Sequence, residues 1–299
     1  MIKKTIRIGC RDSVLAVIQA EIVMRAVNTL YPDVAFEMIK IKTAGDLILD
    51  KSLDAIGGKG LFIKELEQAL ADGRIDAAVH SYKDMPYDET DGLPVVALSA
   101  RESPFDALVL PEDATEMDNT KPVGSCSLRR TVQFRKLFDG YTVKDVRGNV
   151  PTRLSKLDGG EYGALILAQA GLNRLSLQHR ASRVFTVDEM IPSGSQGILA
   201  VQGRRGEDYF YLSRFHSMES EIVSKAERRY LQTLGGGCSS PVAVYGRLTG
   251  GGLSLTGMYV NATGDIVKGC INGAARDAAR LGETLAKQLQ SRGTVPLLS

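Results

Sequence analysis

A single thiol, Cys238, follows three consecutive glycines in the run 235–238. Because glycine carries no side chain, a bulky group can approach this thiol closely. The other cysteines, Cys10, Cys126 and Cys270, lie far from it in sequence and form no C-x-x-C pair. A cysteine taken alone is more often a small buried side chain than a nucleophile, so both interpretations stay open at this point.

Six arginines fall beside Gly, Ser or Asn at predicted junctions between strands and helices: Arg11, Arg129, Arg130, Arg147, Arg153 and Arg174. Free backbone N–H groups and the helix dipole favour negative charge at such junctions. The chain has 37 basic and 35 acidic residues, so it predicts local clusters of cations and no broad nucleic-acid surface. Together with the thiol, these arginines indicate a polycarboxylate tethered to sulfur.

The arginine segments also have purely structural interpretations. In residues 147–154, Arg153 would form an exposed helix face with Lys156 while Arg147 pairs with Asp145. In residues 125–130, Ser125, Ser127, Arg129 and Arg130 lie at the start of a predicted helix, where a phosphate would also bind well. Adjacent helical residues point about 100° apart, so one arginine of that pair would simply face solvent.

Residues 80–86 leave a predicted buried strand and run into Pro86, at the edge where open α/β sheets place their ligands. Asp84 is the carboxylate of this segment. Among many cations it could stabilise positive charge that develops on a substrate and transfer protons. The alternative is a salt bridge from Asp84 to Lys83 or to an arginine.

The run 57–60, Gly-Gly-Lys-Gly, looks like a phosphate-binding loop. It lacks the G-x-x-x-x-G-K-[ST] spacing, so nucleotide binding has little support. A mobile flap that carries one cation, Lys59, fits this run better.

Strand and helix patterns alternate over the first two thirds of the chain, which is typical of mainly parallel sheets covered by helices. The predicted strands are 5–9, 36–42, 76–80, 107–110, 142–146 and 164–167, and the predicted helices include one capped by Asp12 or Ser13, one at about 60–70, one at 128–138, one entered through Asn149 and one ending near Leu175. Beyond these, the sequence predicts a helix at 217–234, strands at 242–248, 253–260 and 266–272, and a helix at 274–291.

Two α/β lobes and a small α+β C-terminal domain account for this order of elements. The predicted domains are residues 1–97 with 198–216, residues 98–197, and residues 217–299. Residues 192–197 are predicted to be a crossing point between the lobes.

No Cys and His spacing is typical of a structural zinc site, so the sequence predicts no metal. Residues 1–7 lead into a strand pattern without an apolar signal core, and no stretch approaches a membrane-spanning length. We therefore expect a reduced, cytoplasmic protein with no membrane or nucleic-acid partner.

Taken together, these fragments resemble the porphobilinogen deaminase family, also called hydroxymethylbilane synthase. The resemblance rests on six segments in the family's order: 11–13, 57–66, 80–86, 127–130, 147–158 and 236–238. They span nearly the whole chain. Any one of them is weak support, whereas six in register are hard to produce by accident.

The resemblance implies two lobes like those of a periplasmic binding protein, with the active site between them, and a third domain that presents a cysteine. That cysteine corresponds to Cys238, whose sulfur would form a thioether to a dipyrromethane cofactor. The implied reaction adds four porphobilinogen molecules head to tail, with loss of ammonia, and hydrolysis releases hydroxymethylbilane. Tetrapyrrole and haem biosynthesis and a monomer are implied as well.

The resemblance also implies roles for individual residues. Asp84 would be catalytic, stabilising a cationic azafulvene and the proton transfers around coupling. The cofactor-binding residues would be Cys238, Ser81, Lys83, Asp84, Ser125, Ser127, Arg129, Arg130, Arg153 and Gly197. The substrate-binding residues would be Arg11, Ser13, Gln19, Lys59, Phe62, Arg147, Arg174 and Gln196. Arginine suits these roles because its planar guanidinium pairs with a carboxylate through two hydrogen bonds.

Two features depart from the family's pattern. Residues 192–197 read Pro-Ser-Gly-Ser-Gln-Gly where the family usually has P-A-x-G-Q-G, and Ala55 stands where some members have a lysine. Two alternatives remain open: a two-lobed anion receptor with no turnover, and a transferase that uses Cys238 as a transient nucleophile.

Overall fold

The computed structural model describes residues 5–43, 63–236 and 241–293. The chain divides into two compact units, of which unit 1 comprises Met1–Glu102 and Gly197–Ser220, and unit 2 comprises Ser103–Gln196 and Glu221–Ser299. The predicted crossing at 192–197 therefore contains a junction between the units. The predicted third domain, 217–299, falls in unit 2 apart from its first four residues, and its separateness stays a prediction.

Unit 1 is built on a five-stranded sheet with the order β2-β1-β3-β10-β4. Its strands are β1 (Thr5–Arg11), β2 (Ala35–Ile41), β3 (Ala77–Ser81), β4 (Val95–Leu98) and β10 (Leu199–Gln202). Its helices are α1 (Val14–Asn28) and α2 (Lys64–Ala71). Strand β1 runs parallel to β2 and β3, so β1 and β3 both end at the same edge of the sheet.

Unit 2 contains a second five-stranded sheet, with the order β7-β6-β8-β5-β9. Its strands are β5 (Asp106–Val109), β6 (Val123–Gly124), β7 (Val143–Lys144), β8 (Ala164–Ala168) and β9 (Arg183–Val184). Its helices are α3 (Leu128–Leu137), α4 (Val150–Asp158) and α5 (Gln169–Arg174). Strand β6 is parallel to β7 and β8, whereas β5 is antiparallel to β8 and β9.

The C-terminal part of unit 2 is an antiparallel three-stranded sheet with two helices, which is the predicted α+β arrangement. Its elements are α6 (Met218–Thr233), β11 (Ala243–Thr249), β12 (Gly252–Val260), β13 (Ile266–Ala274) and α7 (Ala278–Gly293). The first three residues of α6 belong to unit 1. Helices α6 and α7 approach each other so closely at Gly282 that a Cβ there would overlap the backbone carbonyl of Ala226. The α/β class with a small α+β C-terminal part is confirmed.

Buried apolar clusters cover both faces of each five-stranded sheet. In unit 1, Val23 of α1 belongs to one cluster and Leu66 of α2 belongs to another. In unit 2, Phe134 of α3 and Leu157 of α4 lie in separate clusters. Since each helix buries one apolar side against a sheet, the loops at the strand ends are left to carry polar side chains.

Candidate active site

The carboxyl ends of β1 and β3 form a pocket in unit 1, with a volume of about 90 Å³. Arg11 ends β1, Ser81 ends β3, and Ser13 caps the helix that follows β1. The lining residues are Arg11, Ser13, Leu15, Ala16, Gln19, Ile63, Val79, His80, Ser81 and Asp84. Five predicted site residues, Arg11, Ser13, Gln19, Ser81 and Asp84, are therefore brought together.

Two polar contacts fix one wall of this pocket. The Ser13 hydroxyl accepts a hydrogen bond from the Ala16 backbone N–H at 3.3 Å, which satisfies a free donor of the first turn of α1. Gln19 is buried, and its Nε2 donates to the Ser81 hydroxyl oxygen at 2.9 Å. This bond connects α1 to the end of β3.

Asp84 belongs to a single 3-10 turn, Tyr82–Asp84, that follows β3 directly. The Tyr82 backbone N–H donates to the Ile198 carbonyl at 3.0 Å, which holds the turn against the chain entering β10. In the described part of the chain, no hydrogen bond or ion pair reaches the half-buried Asp84 carboxylate. The alternative of a salt bridge to Lys83 or an arginine is therefore wrong for these residues. Lys83 lies in the same turn and is half-buried.

His80 is a member of this pocket that the sequence reasoning did not name as a site residue. Its side chain is only 6% exposed, and its Nε2 has no hydrogen-bond partner among the described residues. Burial lowers the pKa of His80 to about 4, the Gln202 side chain opposes that shift, and the charge of Arg11 adds to it. The imidazole is therefore neutral at physiological pH. The sequence feature that could have identified His80 as a site residue is its position immediately before Ser81.

In unit 2, two serines line the start of α3. The Ser127 hydroxyl caps the helix by accepting from the Arg130 backbone N–H, and the buried Ser125 hydroxyl accepts from the Ser127 N–H at 3.2 Å. The predicted helix start at residue 128 is confirmed.

Arg129 and Arg130 share one buried carboxylate, that of Asp106 at the start of β5. Arg129 Nη1 lies 2.7 Å from Asp106 Oδ2, and Arg130 Nη2 lies 2.7 Å from Asp106 Oδ1. Both arginines are buried, so the alternative in which one of them faces solvent is wrong. Helix α3 packs closely on the sheet, and both long side chains reach the interior. A cofactor-binding role for this pair stays a prediction.

The Asp106 carboxylate is ionised because of this pairing. Its complete burial would raise its pKa, but the charges of Arg129 and Arg130 hold the pKa well below its usual range. Conversely, burial lowers the pKa of Arg129, and the attraction of Asp106 opposes that shift. Sequence reasoning missed Asp106, because a pairing across 23 positions follows no local periodicity.

Gln196 and Gly197 lie at the junction between the two units, and we describe each within its own unit. The buried Gln196 Nε2 donates to the Pro104 carbonyl at 2.7 Å and to Asp106 Oδ1 at 3.0 Å, both in unit 2. Gly197 has a φ of 91°, a left-handed conformation that favours glycine. The substrate-binding role of Gln196 and the cofactor-binding role of Gly197 stay predictions.

Arg153 lies near two other cations in unit 2. Burial lowers its pKa, the nearby charges of Arg130 and Arg147 lower it further, and Cys126 acts in the opposite direction. Its Nε donates to the Gly148 carbonyl at 2.7 Å, at the turn in which Asn149 caps α4. We call Arg130, Arg147 and Arg153 the cation cluster.

The structural alternatives for this segment are wrong. Arg153 and Lys156 are both half-buried and do not form an exposed face, and Lys156 Nζ donates to the Arg147 carbonyl at 3.4 Å. Among the described residues, no ion pair joins Arg147 to Asp145. Arg174 is half-buried at the C-terminal end of α5.

Glu227 of α6 is a second residue that the sequence reasoning missed. Its fully buried carboxylate accepts from the Ser195 N–H at 2.6 Å and from the Gly246 N–H at 2.7 Å. It therefore joins α6, β11 and the segment before Gln196. Ser195 has a φ of 63°, a left-handed conformation that is rare for a residue with a side chain.

Three predicted site residues, Lys59, Phe62 and Cys238, lie outside the described residues, as do Ala55 and the run 57–60. Their roles stay predictions.

Two protein-family models match this chain. A family model described as porphobilinogen deaminase, dipyrromethane cofactor binding domain, matches residues 6–211. A second, described as porphobilinogen deaminase, C-terminal domain, matches residues 222–291. This chain belongs to the porphobilinogen deaminase family. The resemblance inferred from the six segments is confirmed, and so is the dipyrromethane cofactor of the family.

Relatives in the porphobilinogen deaminase family are similar to this chain over nearly their full length. The porphobilinogen deaminase of Ruminiclostridium josui is 50% identical over 293 residues, covering 98% of this chain and 100% of that protein. The porphobilinogen deaminase of Neisseria meningitidis serogroup A is 41% identical over 300 residues, covering 99% of this chain and 96% of that protein. Among solved structures, the methionine binding protein MetQ aligns with a TM-score of 0.44 at 14% identity, covering 74% of this chain and 94% of that one.

The residues of unit 2 fit the acidic cofactor of the porphobilinogen deaminase family. Two of the three members of the cation cluster lower the pKa of the third by repulsion, and a bound carboxylate would relieve that repulsion. The hydroxyl groups of Ser125 and Ser127 at the start of α3 add polar partners.

Two features are absent from residues 5–43, 63–236 and 241–293. Among those residues, no three His, Cys, Asp or Glu side chains group as metal ligands. No helix there combines the length and apolar character that crossing a bilayer requires.

Proposed function

We propose that this protein polymerises four porphobilinogen molecules head to tail, with loss of ammonia, and releases hydroxymethylbilane by hydrolysis. The dipyrromethane group, bound through Cys238, supplies the primer on which the chain grows. The protein is then a transferase of tetrapyrrole and haem biosynthesis. A cytoplasmic monomer that uses neither metal nor nucleic acid is part of the same proposal.

The charges of the unit 1 pocket support this proposal. Porphobilinogen carries two carboxylates, an aminomethyl group that is protonated in water, and a pyrrole N–H. Among its described lining residues, the pocket has one cation, Arg11, and one carboxylate, Asp84, together with the hydrogen-bonded Gln19 and Ser81 side chains. Arg11 would bind a substrate carboxylate, and Asp84 would face the ammonium or the pyrrole N–H.

Asp84 has the central catalytic role in this proposal. Its carboxylate would stabilise the positive charge that develops on the substrate ring as ammonia leaves, and would accept the proton lost on coupling. Because Asp84 is not engaged by any other described residue, its charge is available to the substrate. This is the single observation that carries the proposal.

The cation cluster supports a second role, retention of the growing acidic chain. Arg130, Arg147 and Arg153 would bind carboxylates, together with Ser125, Ser127 and Arg129. Lys83 and Gly197 would complete the cofactor-binding residues, and Ser13, Lys59, Phe62, Arg174 and Gln196 would complete the substrate-binding residues.

Intact mass and ammonia release test this proposal together. The mass of the purified protein should exceed the mass calculated from its sequence by one dipyrromethane, whereas the mass of Cys238→Ser protein should equal its calculated mass. Wild-type protein should also release ammonia from porphobilinogen. The matched control is Cys270→Ser, since Cys270 is exposed on β13 and should not alter either result.

The outcomes also separate the two alternatives. A protein of unmodified mass that binds porphobilinogen without releasing ammonia would be an anion receptor. An adduct on Cys238 that exchanges with substrate at each turnover would indicate a transient nucleophile. Either result would refute the proposed function.

A further inference from the structure

The unit 1 pocket contains one buried polar side chain whose role the reaction described above leaves open. His80 is 6% exposed, lines the pocket beside Asp84 and Ser81, and has an unpartnered Nε2 in the part of the chain that the structure describes. Leaving a buried polar atom unpaired costs stability, so such atoms usually have a function or a missing partner. A bound ligand is a partner that would satisfy it.

The surroundings of His80 determine its charge. Its strand β3 pairs with β10, where Ala200 lies opposite His80 and Gln202 lies diagonally across. The Gln202 Nε2 is already committed to Glu67 Oε1 at 2.8 Å and to the Leu93 carbonyl at 2.9 Å. The Gln202 carbonyl oxygen is neutral and buried and has no hydrogen-bond partner among the described residues, and hydrogen bonding between Gln202 and the imidazole would favour the protonated form without supplying a charge. With burial and Arg11 both opposing protonation, the imidazole stays uncharged.

A neutral imidazole carries one N–H donor and one lone pair. Because Arg11 and His80 line the same small pocket, an anion bound by Arg11 also comes near His80. Such an anion can accept a hydrogen bond from the imidazole N–H. The neutral state has a further advantage, since a second cation there would repel the ammonium of the substrate.

We propose that His80 is a further substrate-binding residue, whose imidazole N–H donates to the porphobilinogen carboxylate that Arg11 binds. This inference rests on the proposed function and deepens it. It assigns two pocket residues, one charged and one neutral, to the same carboxylate. It also explains why the protein keeps an unsatisfied polar group in the interior of unit 1.

The experiment measures kinetics and thermal stability of the cofactor-loaded protein with His80→Leu and His80→Gln. Leucine removes the donor and also the unpaired polar atom, so we expect KM for porphobilinogen to rise about three- to tenfold, with a smaller change in kcat. The Tm of His80→Leu should stay equal to wild type or rise. Glutamine keeps an N–H donor and should restore most of the KM.

A purely structural role predicts a different pattern. A Tm that falls together with kcat/KM in both variants would overturn the inference, and so would a His80→Leu KM within twofold of wild type. If wild-type protein releases no ammonia from porphobilinogen, the proposed function itself fails. If wild type is active and His80→Leu keeps its KM, only this inference fails.

A second measurement covers the case in which His80→Leu does not load its cofactor. The chain has three histidines, so the ¹³C-labelled imidazole signals of the wild-type holoenzyme can be assigned with His80→Gln. The probe is the pyrrole with acetate and propionate side chains but no aminomethyl group, which cannot react. The His80 signal should shift on its addition, and an unchanged signal at saturation would overturn the inference.

Discussion

Arg130 holds Asp106 through two hydrogen bonds, from Nε at 3.0 Å and from Nη2 at 2.7 Å, both to Oδ1. The other carboxylate oxygen accepts from Arg129. One negative charge therefore neutralises only one of two buried guanidinium groups, and the start of α3 keeps a net positive charge. A bound carboxylate would supply the missing negative charge.

The first prediction concerns this shared carboxylate. Asp106→Asn should lower the free energy of unfolding by about 3–5 kcal/mol, because it leaves two buried guanidinium groups without a counter-charge. Urea denaturation at pH 7 measures the loss. Asp118→Asn is the matched control, since Asp118 is exposed and lies 4.0 Å from Lys121. That change should cost less than about 1 kcal/mol. Equal losses in the two variants would contradict the interpretation of Asp106.

The second prediction separates catalysis from stability at Asp84. Asp84→Asn keeps the size of the side chain and breaks no described ion pair, so its Tm should stay within about 2 °C of wild type. Ammonia release should fall by about 100-fold or more, since an amide neither stabilises positive charge nor accepts a proton well. Asp88→Asn, four residues further along the chain, should retain full activity. Retention of more than half of the activity in Asp84→Asn would remove Asp84 from the mechanism.

The third prediction is a stabilising change. Ser195 has a left-handed φ of 63°, and its buried hydroxyl has no partner among the described residues. The pattern P-A-x-G-Q-G of the family places glycine at this position. Ser195→Gly should therefore raise the free energy of unfolding by about 1 kcal/mol, because it removes both costs and keeps the backbone N–H that Glu227 binds.

The control for that change is Ser193→Gly in the same segment. Ser193 does not have a positive φ, so glycine brings only its entropic cost and should destabilise by about 0.5–1 kcal/mol. Urea denaturation of both variants gives the comparison. Destabilisation by Ser195→Gly would contradict the prediction, because it would mean that the Ser195 side chain stabilises the folded protein.

The fourth prediction is a pH dependence that His80 causes. Its pKa is about 4 in the folded protein, against an ordinary value of 6.5, so between these two pH values the unfolded chain binds more protons than the folded protein. The contribution of the neutral imidazole to the free energy of unfolding is therefore fully present above pH 6.5. It decreases as the pH falls from 6.5 towards 4, and it does not change further below pH 4. Between pH 7 and pH 5 the wild type should lose about 2 kcal/mol more than His80→Gln. Parallel pH profiles of the two proteins would refute this account.

Local patterns predicted most elements of the fold. Helix starts at Ser13, Ser127 and Asn149 were recognisable because capping residues precede apolar periodicity, and each of the three caps its helix. Strands β6 and β9 have two residues each, too few for any periodicity. Strand β10 pairs with β3, more than 100 positions earlier, and nothing in its own residues indicates that partner.

The candidate site divides in the same way. Arg11 and Asp84 could be named because they follow predicted strands, whereas Gln19 was named only through the family resemblance. The structure brings all three into one pocket. Asp106 and Glu227 could not be named, since each binds groups supplied by distant segments. A buried acidic residue in a strand or helix pattern looks like any solvated charge until its partners are known.

Residue 282 shows how a missing atom can matter at a distance. Helix α7 lies against α6 at Gly282, next to the carbonyl of Ala226. In α6, Ala226 is followed directly by Glu227, whose carboxylate binds the Ser195 N–H. A methyl group there would wedge the two helices apart and carry the Glu227 carboxylate away from the amides it binds. The conformation at Ser195 therefore depends on residue 282 of α7 having no side chain, because this lets α6 hold Glu227 within reach of the Ser195 N–H.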